Sequence, residues 1–288
     1  LRALDKILTT LAPRELKLIG GEVLLRDDAE DLIRLACRRA PAVTLTSNGL
    51  GLDRALTSSL ARLPSLARLS LSLCPEPRGP VEHLERLAPF TRRLRGRVWV
   101  MAQLMVEPGA GDQAARALAA LPAAGIRWAL LMQRMWSTPA ELARTRSLLE
   151  HELGWSGDWP LHAAVQQAPP APVAALTEAL ALAHAAARQA GVVAHDEVGL
   201  TRDARRRFHQ ADPGPLAACR YLLEPTLRLD PAGRVIFCEH LRHPLDDLRR
   251  APLEQIWNSQ TMLTLRRRLH RQGPLPVCRR CCKLVHLA

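Results

Sequence analysis

Aromatic residues are scarce in this chain and make up 3% of its 288 residues. A stacking platform for single-stranded nucleic acid is therefore not expected, because such platforms need rows of aromatic rings. Lysine is scarce as well, since the 40 basic residues include only Lys6, Lys17 and Lys283 and the remainder are arginines spread along the chain. A formal net charge of +12 would favour nucleic acid as a partner. This dispersed, arginine-dominated charge argues against that partner.

A long, uninterrupted apolar run is also absent. The N-terminal residues have the pattern of an amphipathic helix and lack the apolar segment and cleavage site of a signal peptide. The most apolar stretch, residues 173–194, contains Glu178, His184 and Arg188. A membrane-spanning segment excludes such residues. We therefore expect no membrane association and a cytoplasmic location.

The cysteines are few and unevenly placed. There are seven, with five in the last quarter of the chain: Cys37, Cys74, Cys219, Cys238, Cys278, Cys281 and Cys282. An odd number clustered at one end does not suggest the disulfide framework of a secreted protein. In a cytosolic protein such a cluster indicates a metal site.

Short apolar segments alternate with amphipathic ones in the first part of the chain. Strands are predicted at residues 16–20, 43–46, 67–73, 97–105 and 126–132, with a further strand at 159–165. Helices are predicted at residues 2–11, 29–39, 54–63, 81–92, 113–121, 139–153 and 173–190. This alternation predicts parallel βα units, arranged as a doubly wound sheet or a barrel.

The last part of the chain has a different organisation. Residues 199–218 are basic and rich in turn formers, which predicts a linker, and residues 227–238 form a predicted hairpin around the turn Asp230–Gly233. A helix is predicted at 253–268, followed by a tail rich in proline and cysteine. We therefore predict an α/β domain at residues 1–198 and a small α+β domain at residues 199–288.

The spacing of the last cysteines is the strongest chemical signal in the sequence. Cys219 and Cys238 flank Gly233 in the pattern CX13GX4C, and Cys278 and Cys281 form a CxxC. Four thiolates, two around a hairpin and two in a knuckle, can enclose a metal. The spacing alone leaves two candidates open, a structural zinc ion and an iron–sulfur cluster.

These segments resemble the twitch domain, the shortened SPASM domain of radical SAM enzymes. The resemblance covers CX13GX4C, the CX2C, the hairpin TLRLDPAGRVIFC and the segment PLDDL…PLEQIWNS. It implies an auxiliary 4Fe–4S cluster whose ligands are Cys219, Cys238, Cys278 and Cys281. Cys282 directly follows this knuckle, and its role as a spare thiol or an alternative ligand stays open.

The first part of the chain resembles the radical SAM barrel. LKLIGGEVLLRDD is similar to the GGEP segment of that family, TSNG to the motif that ends the next strand, and LSLSLC to the strand after it. The resemblance implies that S-adenosylmethionine is bound, with its amino group held by Gly20, Gly21 and Glu22. It further implies contacts from the cofactor-binding residues Ser47, Asn48, Ser72 and Arg78. The catalytic residues stay unknown, and so does the role of Cys74.

The motif that defines the family, CxxxCxxC, is absent from these 288 residues. We therefore expect a partial (β/α)6 barrel lacking its first strand, N-terminally truncated and inactive as given, because the catalytic 4Fe–4S cluster would belong to the full-length parent. That parent would cleave S-adenosylmethionine to a 5′-deoxyadenosyl radical, which abstracts hydrogen from a substrate. Electrons would come from a donor such as flavodoxin or ferredoxin.

Three functions compete at this stage. The resemblance favours peptide maturation, because twitch and SPASM units are common in peptide-modifying enzymes. A radical SAM enzyme acting on a small molecule, such as a sugar or a cofactor precursor, is the alternative. A zinc-bound module that binds nucleic acid without catalysis is the third candidate, based on the basic charge and the cysteine cluster.

Overall fold

The computed structural model describes residues 1–73, 79–133, 137–155, 173–197, 217–224, 226–230, 232–241 and 243–286. The chain divides into two compact units. The first comprises Leu1–Met132 and Ala174–Glu197, and the second comprises Gln133–Val173 and Val198–Ala288. The predicted helix at 139–153 thus belongs to the second unit. The domain bounds of 1–198 and 199–288 stay a prediction.

A six-stranded parallel sheet organises the first unit. Its strands are β1 (Glu15–Leu18), β2 (Ala42–Ser47), β3 (Leu66–Ser72), β4 (Trp99–Met105), β5 (Trp128–Met132) and β6 (Val193–Asp196). The strands pair in chain order, each parallel to the next. Because this order never reverses, the sheet lacks the switch point of a doubly wound fold and corresponds to the wall of a barrel. The α/β prediction is confirmed.

Helices alternate with these strands. They are α1 (Arg2–Leu11), α2 (Ala29–Arg39), α3 (Arg54–Leu60), α4 (Pro80–Leu94) and α5 (Gly111–Ala120), whereas α6 (Pro139–Leu153) lies in the second unit and α7 (Val173–Gln189) in the first. Short 3-10 turns occur at Val23–Leu25 and Leu121–Ala124. Among the helices that the structure describes, none is both long and apolar enough to cross a membrane.

The core of the first unit follows from the alternation of side chains along each strand. In β4, Val100, Ala102 and Leu104 are buried in one hydrophobic cluster, whereas Trp99 is 43% exposed. Helix residues such as Leu87 complete the cluster. Burial of these alternate residues fixes the register of the sheet, because a shift by one residue would expose the whole set.

One detail of the first unit differs from the sequence prediction. Strand β6 was not predicted, because its four residues directly follow a long alanine-rich helix and give little periodic signal. The strand predicted at residues 159–165 lies outside the described residues. Asp53 caps the start of α3, because its side chain accepts a hydrogen bond from Leu56 N at 2.7 Å.

Short elements make up the rest of the second unit. They are β7 (Ala217–Cys219), α8 (Arg220–Leu223), β8 (Arg228–Leu229), β9 (Arg234–Ile236), β10 (Pro244–Asp247), α9 (Leu253–Trp257), α10 (Gln260–Gln272), a 3-10 turn (Pro276–Arg280) and β11 (Leu284–His286). Strand β9 pairs antiparallel with β8 and β10, which confirms the predicted hairpin, and β11 pairs antiparallel with β7. A second hydrophobic cluster, which includes Leu149, Trp155, Phe237 and Met262, forms the core.

The single helix predicted at residues 253–268 is wrong, because the structure has two helices there, α9 and α10. The break falls at Asn258 and Ser259. The Ser259 side chain accepts a hydrogen bond from Met262 N at 3.3 Å and caps the start of α10. An N-cap serine has extended backbone angles, so it ends one helix as it begins the next. The predicted linker at 199–218 also ends inside strand β7.

Candidate functional site

Two glycines follow strand β1 at the carboxyl edge of the sheet, where parallel barrels bind their ligands. Gly20 and Gly21 are exposed, and Gly20 has a φ of 157°. A Cβ atom added to either glycine would have no heavy atom within 4 Å. A ligand can therefore approach the backbone at this point without meeting protein atoms.

The Glu22 carboxylate joins the ends of β1 and β2. Its Oε1 accepts hydrogen bonds from Leu24 N at 2.9 Å and from the Ser47 hydroxyl at 2.7 Å, and its Oε2 accepts one from Asn48 N at 2.6 Å. Three donors thus hold the carboxylate in one orientation. An ionised carboxylate offers about four lone-pair sites, so the second acceptor site of Oε2 is left for a ligand.

Helix α4 fixes the loop that follows β2. His83 is 3% exposed, and its Nε2 lies 2.7 Å from the carbonyl oxygen of Asn48. A carbonyl can only accept, so Nε2 carries the proton, and Nδ1 accepts from the Arg86 guanidinium at 2.8 Å. Gly49 packs on the same helix, because a Cβ there would lie 2.9 Å from Leu87. His83 was not identified from the sequence, where its only signal was a histidine on the apolar face of a predicted helix.

The other residues predicted to bind the cofactor are only partly described. Ser47 and Asn48 both donate hydrogen bonds to the Glu22 carboxylate, and their contact with the cofactor stays a prediction. Ser72 ends strand β3 and pairs in register with Gln103 of β4, so it lies at the same edge of the sheet. Arg78 and Cys74 lie outside the described residues.

In the second unit, a single cavity is lined by all four cysteines of the predicted cluster. Cys219, Cys238, Cys278 and Cys281 face it together with apolar side chains such as Phe237. The pairing of β7 with β11 positions Cys219, the hairpin positions Cys238, and the last 3-10 turn carries Cys278. Gly233 has a φ of 80° in the hairpin turn, a conformation that favours glycine.

The sulfur atoms are surrounded by groups that suit metal-bound thiolates. His240 N lies 3.3 Å from Cys238 Sγ, and Lys283 N lies 3.3 Å from Cys281 Sγ, each as a hydrogen-bond donor. Hydrogen bonds to the sulfur atoms are one of the features that tune iron–sulfur clusters. Burial raises the pKa of the Cys278 thiol to about 12. Thiols this buried are protonated in the absence of a cation, and a metal would compensate the charge of their thiolates.

The spacing of possible ligand atoms favours one of the two candidate metals. Within the residues that the structure describes, the group whose ligand atoms all lie within 4.8 Å of one another is His240, Cys281 and Cys282, not the four predicted thiols. A single zinc ion at Zn–S bonds of 2.3 Å would hold its sulfur ligands about 3.8 Å apart. The wider arrangement of the four thiols therefore fits a polynuclear cluster better than one zinc ion.

Two side chains of helix α6 form hydrogen bonds with the turn that carries the CxxC knuckle. Val277 N donates a hydrogen bond to the Thr145 hydroxyl at 3.0 Å, and Arg280 Nη1 donates one to Glu141 Oε2 at 2.8 Å. The Arg280 and Glu141 side chains are 6% and 13% exposed. This buried ion pair fixes the turn that presents Cys278 and Cys281.

A polar network borders the cavity beside Cys238. The Tyr221 hydroxyl donates to the Glu239 carboxylate at 2.7 Å, Arg228 Nε lies 2.8 Å from Glu239 Oε2, and the Arg228 guanidinium lies 3.3 Å from the centre of the Tyr221 ring. Burial opposes ionisation of Glu239, but Arg228 and Tyr221 lower its pKa. Glu239 is thus held as a carboxylate next to Cys238, one of the predicted cluster ligands.

The sequence of the second unit matches a known family. Residues 219–282 match SPASM, an iron–sulfur cluster-binding domain. All four cysteines that line the cavity fall within this range. The C-terminal region therefore carries the SPASM pattern that its cysteine spacing resembled.

The fold as a whole is similar to solved structures. Streptococcus suis SuiB matches with a TM-score of 0.60 at 10% identity, over 92% of this chain and 61% of SuiB. SuiB bound to S-adenosylmethionine matches with a TM-score of 0.60 at 11% identity, over 92% of this chain and 60% of that one. Native anSMEcpe with bound AdoMet and Kp18Cys peptide matches with a TM-score of 0.51 at 10% identity, over 90% of this chain and 73% of that one.

These likenesses establish the fold, a radical SAM barrel wall with a C-terminal SPASM region. The chain spans about three fifths of the length of the SuiB chains. A comparison with curated proteins gave no match.

Proposed function

We propose that this chain is part of a radical SAM enzyme that modifies a peptide. The observation that carries the proposal is the SPASM match at residues 219–282 in a chain whose sheet has the strand order of the radical SAM barrel. Iron–sulfur binding alone would fit many redox proteins. A parallel barrel wall with an open, glycine-lined carboxyl edge supports a cofactor site in the same chain.

Four cysteines would hold an auxiliary 4Fe–4S cluster: Cys219, Cys238, Cys278 and Cys281. Such a cluster, once bound, supplies one-electron transfer. The protein's own contribution is a buried cavity, backbone N–H groups directed at the sulfur atoms, and the Glu141–Arg280 pair that fixes the knuckle.

The edge at β1 and β2 would bind S-adenosylmethionine. Its amino group would meet the free acceptor site on Glu22 Oε2, and Gly20 and Gly21 would let the ligand lie against the backbone. An ammonium–carboxylate hydrogen bond of this kind contributes about 1.5–3 kcal/mol. Ser47 and Asn48 would act mainly by orienting Glu22, since both donate to it. We also propose that Ser72 and Arg78 contact S-adenosylmethionine.

A peptide is the proposed substrate class. SuiB has been solved bound to the precursor peptide SuiA, and anSMEcpe with the Kp18Cys peptide. Both likenesses are at about one tenth identity, so they support the class of substrate and not its sequence. We further propose an external electron donor, such as flavodoxin or ferredoxin, and a cytoplasmic location.

Labelled substrate tests this function most directly. The enzyme, with the cysteine loop of the catalytic cluster and with iron and sulfide restored, is reduced in the presence of S-adenosylmethionine and a deuterated peptide. We expect 5′-deoxyadenosine that carries deuterium from the peptide. Two results together would contradict a peptide substrate: unlabelled 5′-deoxyadenosine with each peptide tried, and labelled 5′-deoxyadenosine with a deuterated sugar or cofactor precursor. They would show that the substrate is a small molecule. For the 288 residues alone we expect no 5′-deoxyadenosine, because they contain no CxxxCxxC.

A matched pair of variants tests the proposed cofactor site. Glu22→Gln should weaken S-adenosylmethionine binding about tenfold or more, because each 1.4 kcal/mol corresponds to a factor of ten. Asp27→Asn, a change to an exposed acid in the same connection between β1 and α2, should leave binding unchanged. Equal affinity in both variants would show that Glu22 only joins the strand ends.

A further inference from the structure

A second group of possible metal ligands lies next to the cysteine cavity. One ligand atom from each of His240, Cys281 and Cys282 lies within 4.8 Å of the other two. Cys281 is buried, whereas His240 and Cys282 are partly exposed. Of the three, only Cys281 belongs to the four-cysteine set.

The two cysteine turns bring these side chains together. His240 N donates to Cys238 Sγ, and Lys283 N donates to Cys281 Sγ, each at 3.3 Å. These bonds fix the backbone two residues beyond each cysteine. The hairpin therefore presents His240, and the knuckle presents Cys282, toward the same point.

The donor set suits one particular kind of ion. Two thiolates and one imidazole are ligands that zinc prefers, and together with a divalent cation the two thiolates leave no net charge. Tetrahedral zinc would draw the ligand atoms to about 3.5–3.8 Å from one another, which requires small side-chain movements from the observed spacing. Solvent can reach the partly exposed side, so water can fill the fourth position.

We propose that His240, Cys281 and Cys282 form a mononuclear site for a thiophilic divalent cation, with Zn²⁺ as the ion. Because Cys281 is common to both ligand sets, the ion and the iron–sulfur cluster exclude each other. That the ion and the cluster exclude each other depends on the proposed four-cysteine cluster. The proposal of the zinc site does not depend on that cluster.

Metal titration of the full chain, freed of metal under anaerobic and reducing conditions, tests the site. Co²⁺ is the spectroscopic probe and Zn²⁺ the competitor. We expect one Co²⁺ per chain, with the visible bands of a tetrahedral thiolate complex, and displacement by Zn²⁺. Loss of a ligand should weaken binding at least about tenfold, since even loss of an outer partner costs that much. Cys282→Ser and His240→Gln should both do so.

Two variants serve as controls. Cys219→Ser removes a thiol of the four-cysteine cavity outside this group, and Cys37→Ser removes a thiol of the first unit. Neither should change the Co²⁺ bands or affinity. An effect of Cys219→Ser as large as that of Cys282→Ser would place the ion in the four-cysteine cavity and overturn the proposal. His240→Asn, checked by circular dichroism, replaces His240→Gln if that variant fails to fold.

The exclusion has a separate readout. After reconstitution with iron and sulfide, the chain should bind no Co²⁺ at this site. Binding of Co²⁺ with unchanged affinity to a chain that carries its cluster would overturn the exclusion. Failure to take up iron at all, with Co²⁺ binding intact, would instead contradict the proposed cluster.

Discussion

Removal of the charge at Glu22 should loosen the junction between β1 and β2. The carboxylate accepts three hydrogen bonds, two at Oε1 and one at Oε2. In Glu22→Gln the side-chain amide oxygen can take the place of Oε1. The side-chain amide nitrogen then takes the place of Oε2 and faces Asn48 N, and because both nitrogens are donors no hydrogen bond forms there. One charge-assisted hydrogen bond is lost, which costs about 1.5–3 kcal/mol of unfolding free energy.

Thermal unfolding and hydrogen exchange measure this loss. For a unit of about 150–250 residues, each 1 kcal/mol lowers the melting temperature by about 2–4 °C, so a decrease of about 3–12 °C is expected. The Asn48 amide should exchange faster, because it loses its acceptor. Ser47→Ala should also lower the melting temperature, since it removes the donor to Oε1 and the acceptor of Gly49 N, but it should leave the Asn48 amide bonded to Oε2 and slow to exchange. The reasoning is refuted if Glu22→Gln has the same melting temperature as the exposed-site control Asp27→Asn and its Asn48 amide exchanges at the wild-type rate.

The remaining predictions concern two glycines and one ion pair. Gly51→Ala should destabilise the first unit by about 1–3 kcal/mol in urea unfolding, because the new Cβ would lie 2.6 Å from the carbonyl oxygen of Leu24; Gly21→Ala, with no atom within 4 Å, should unfold like the wild type. Arg280→Met should destabilise the second unit by up to about 3–5 kcal/mol, the cost of breaking a buried ion pair, because Glu141 loses its cation and keeps the hydrogen bond from Thr138 N; an unchanged urea midpoint would contradict this. Burial opposes ionisation of Glu141, but a backbone amide and Arg280 lower its pKa below the ordinary 4.5. Its contribution to stability is therefore complete above about pH 4.5 and declines at lower pH, and the decline should be weaker in Arg280→Met.

The parts of the fold with strong local patterns could be predicted from the sequence. Strands β2 to β5 are apolar runs bounded by turn residues, and their bounds agree with the prediction within a few residues. Strand β6 has only four residues and no such boundary, so its position depends on pairing with β5. The position at which α9 ends depends on Ser259, because its side chain caps the start of α10. Ser259 takes this capping position because residues of α10, such as Met262, pack in the core of the second unit.

In the candidate sites, too, some features could be predicted from the sequence and others could not. The cysteine spacing identified four residues that the fold brings to one cavity, because Cys278 and Cys281 share one short turn, while the β7–β11 pairing and the hairpin position Cys219 and Cys238. The hydrogen bond from Ser47 to Glu22 could not be read from the sequence, since it depends on the register of β2 against β1. His240 was missed for a similar reason, because it approaches Cys282 only when the hairpin and the knuckle are folded.

Iron and sulfide analysis of the four-cysteine cavity tests the central claim most directly. After anaerobic reconstitution of the chain, the account predicts about four iron and four sulfide atoms per chain, as in a 4Fe–4S cluster. Cys238→Ser should abolish this uptake, because it removes a buried ligand of the cavity. Cys37→Ser, in the other unit, should retain it. Tight binding of zinc with no uptake of iron, or full iron content in Cys238→Ser, would contradict the account.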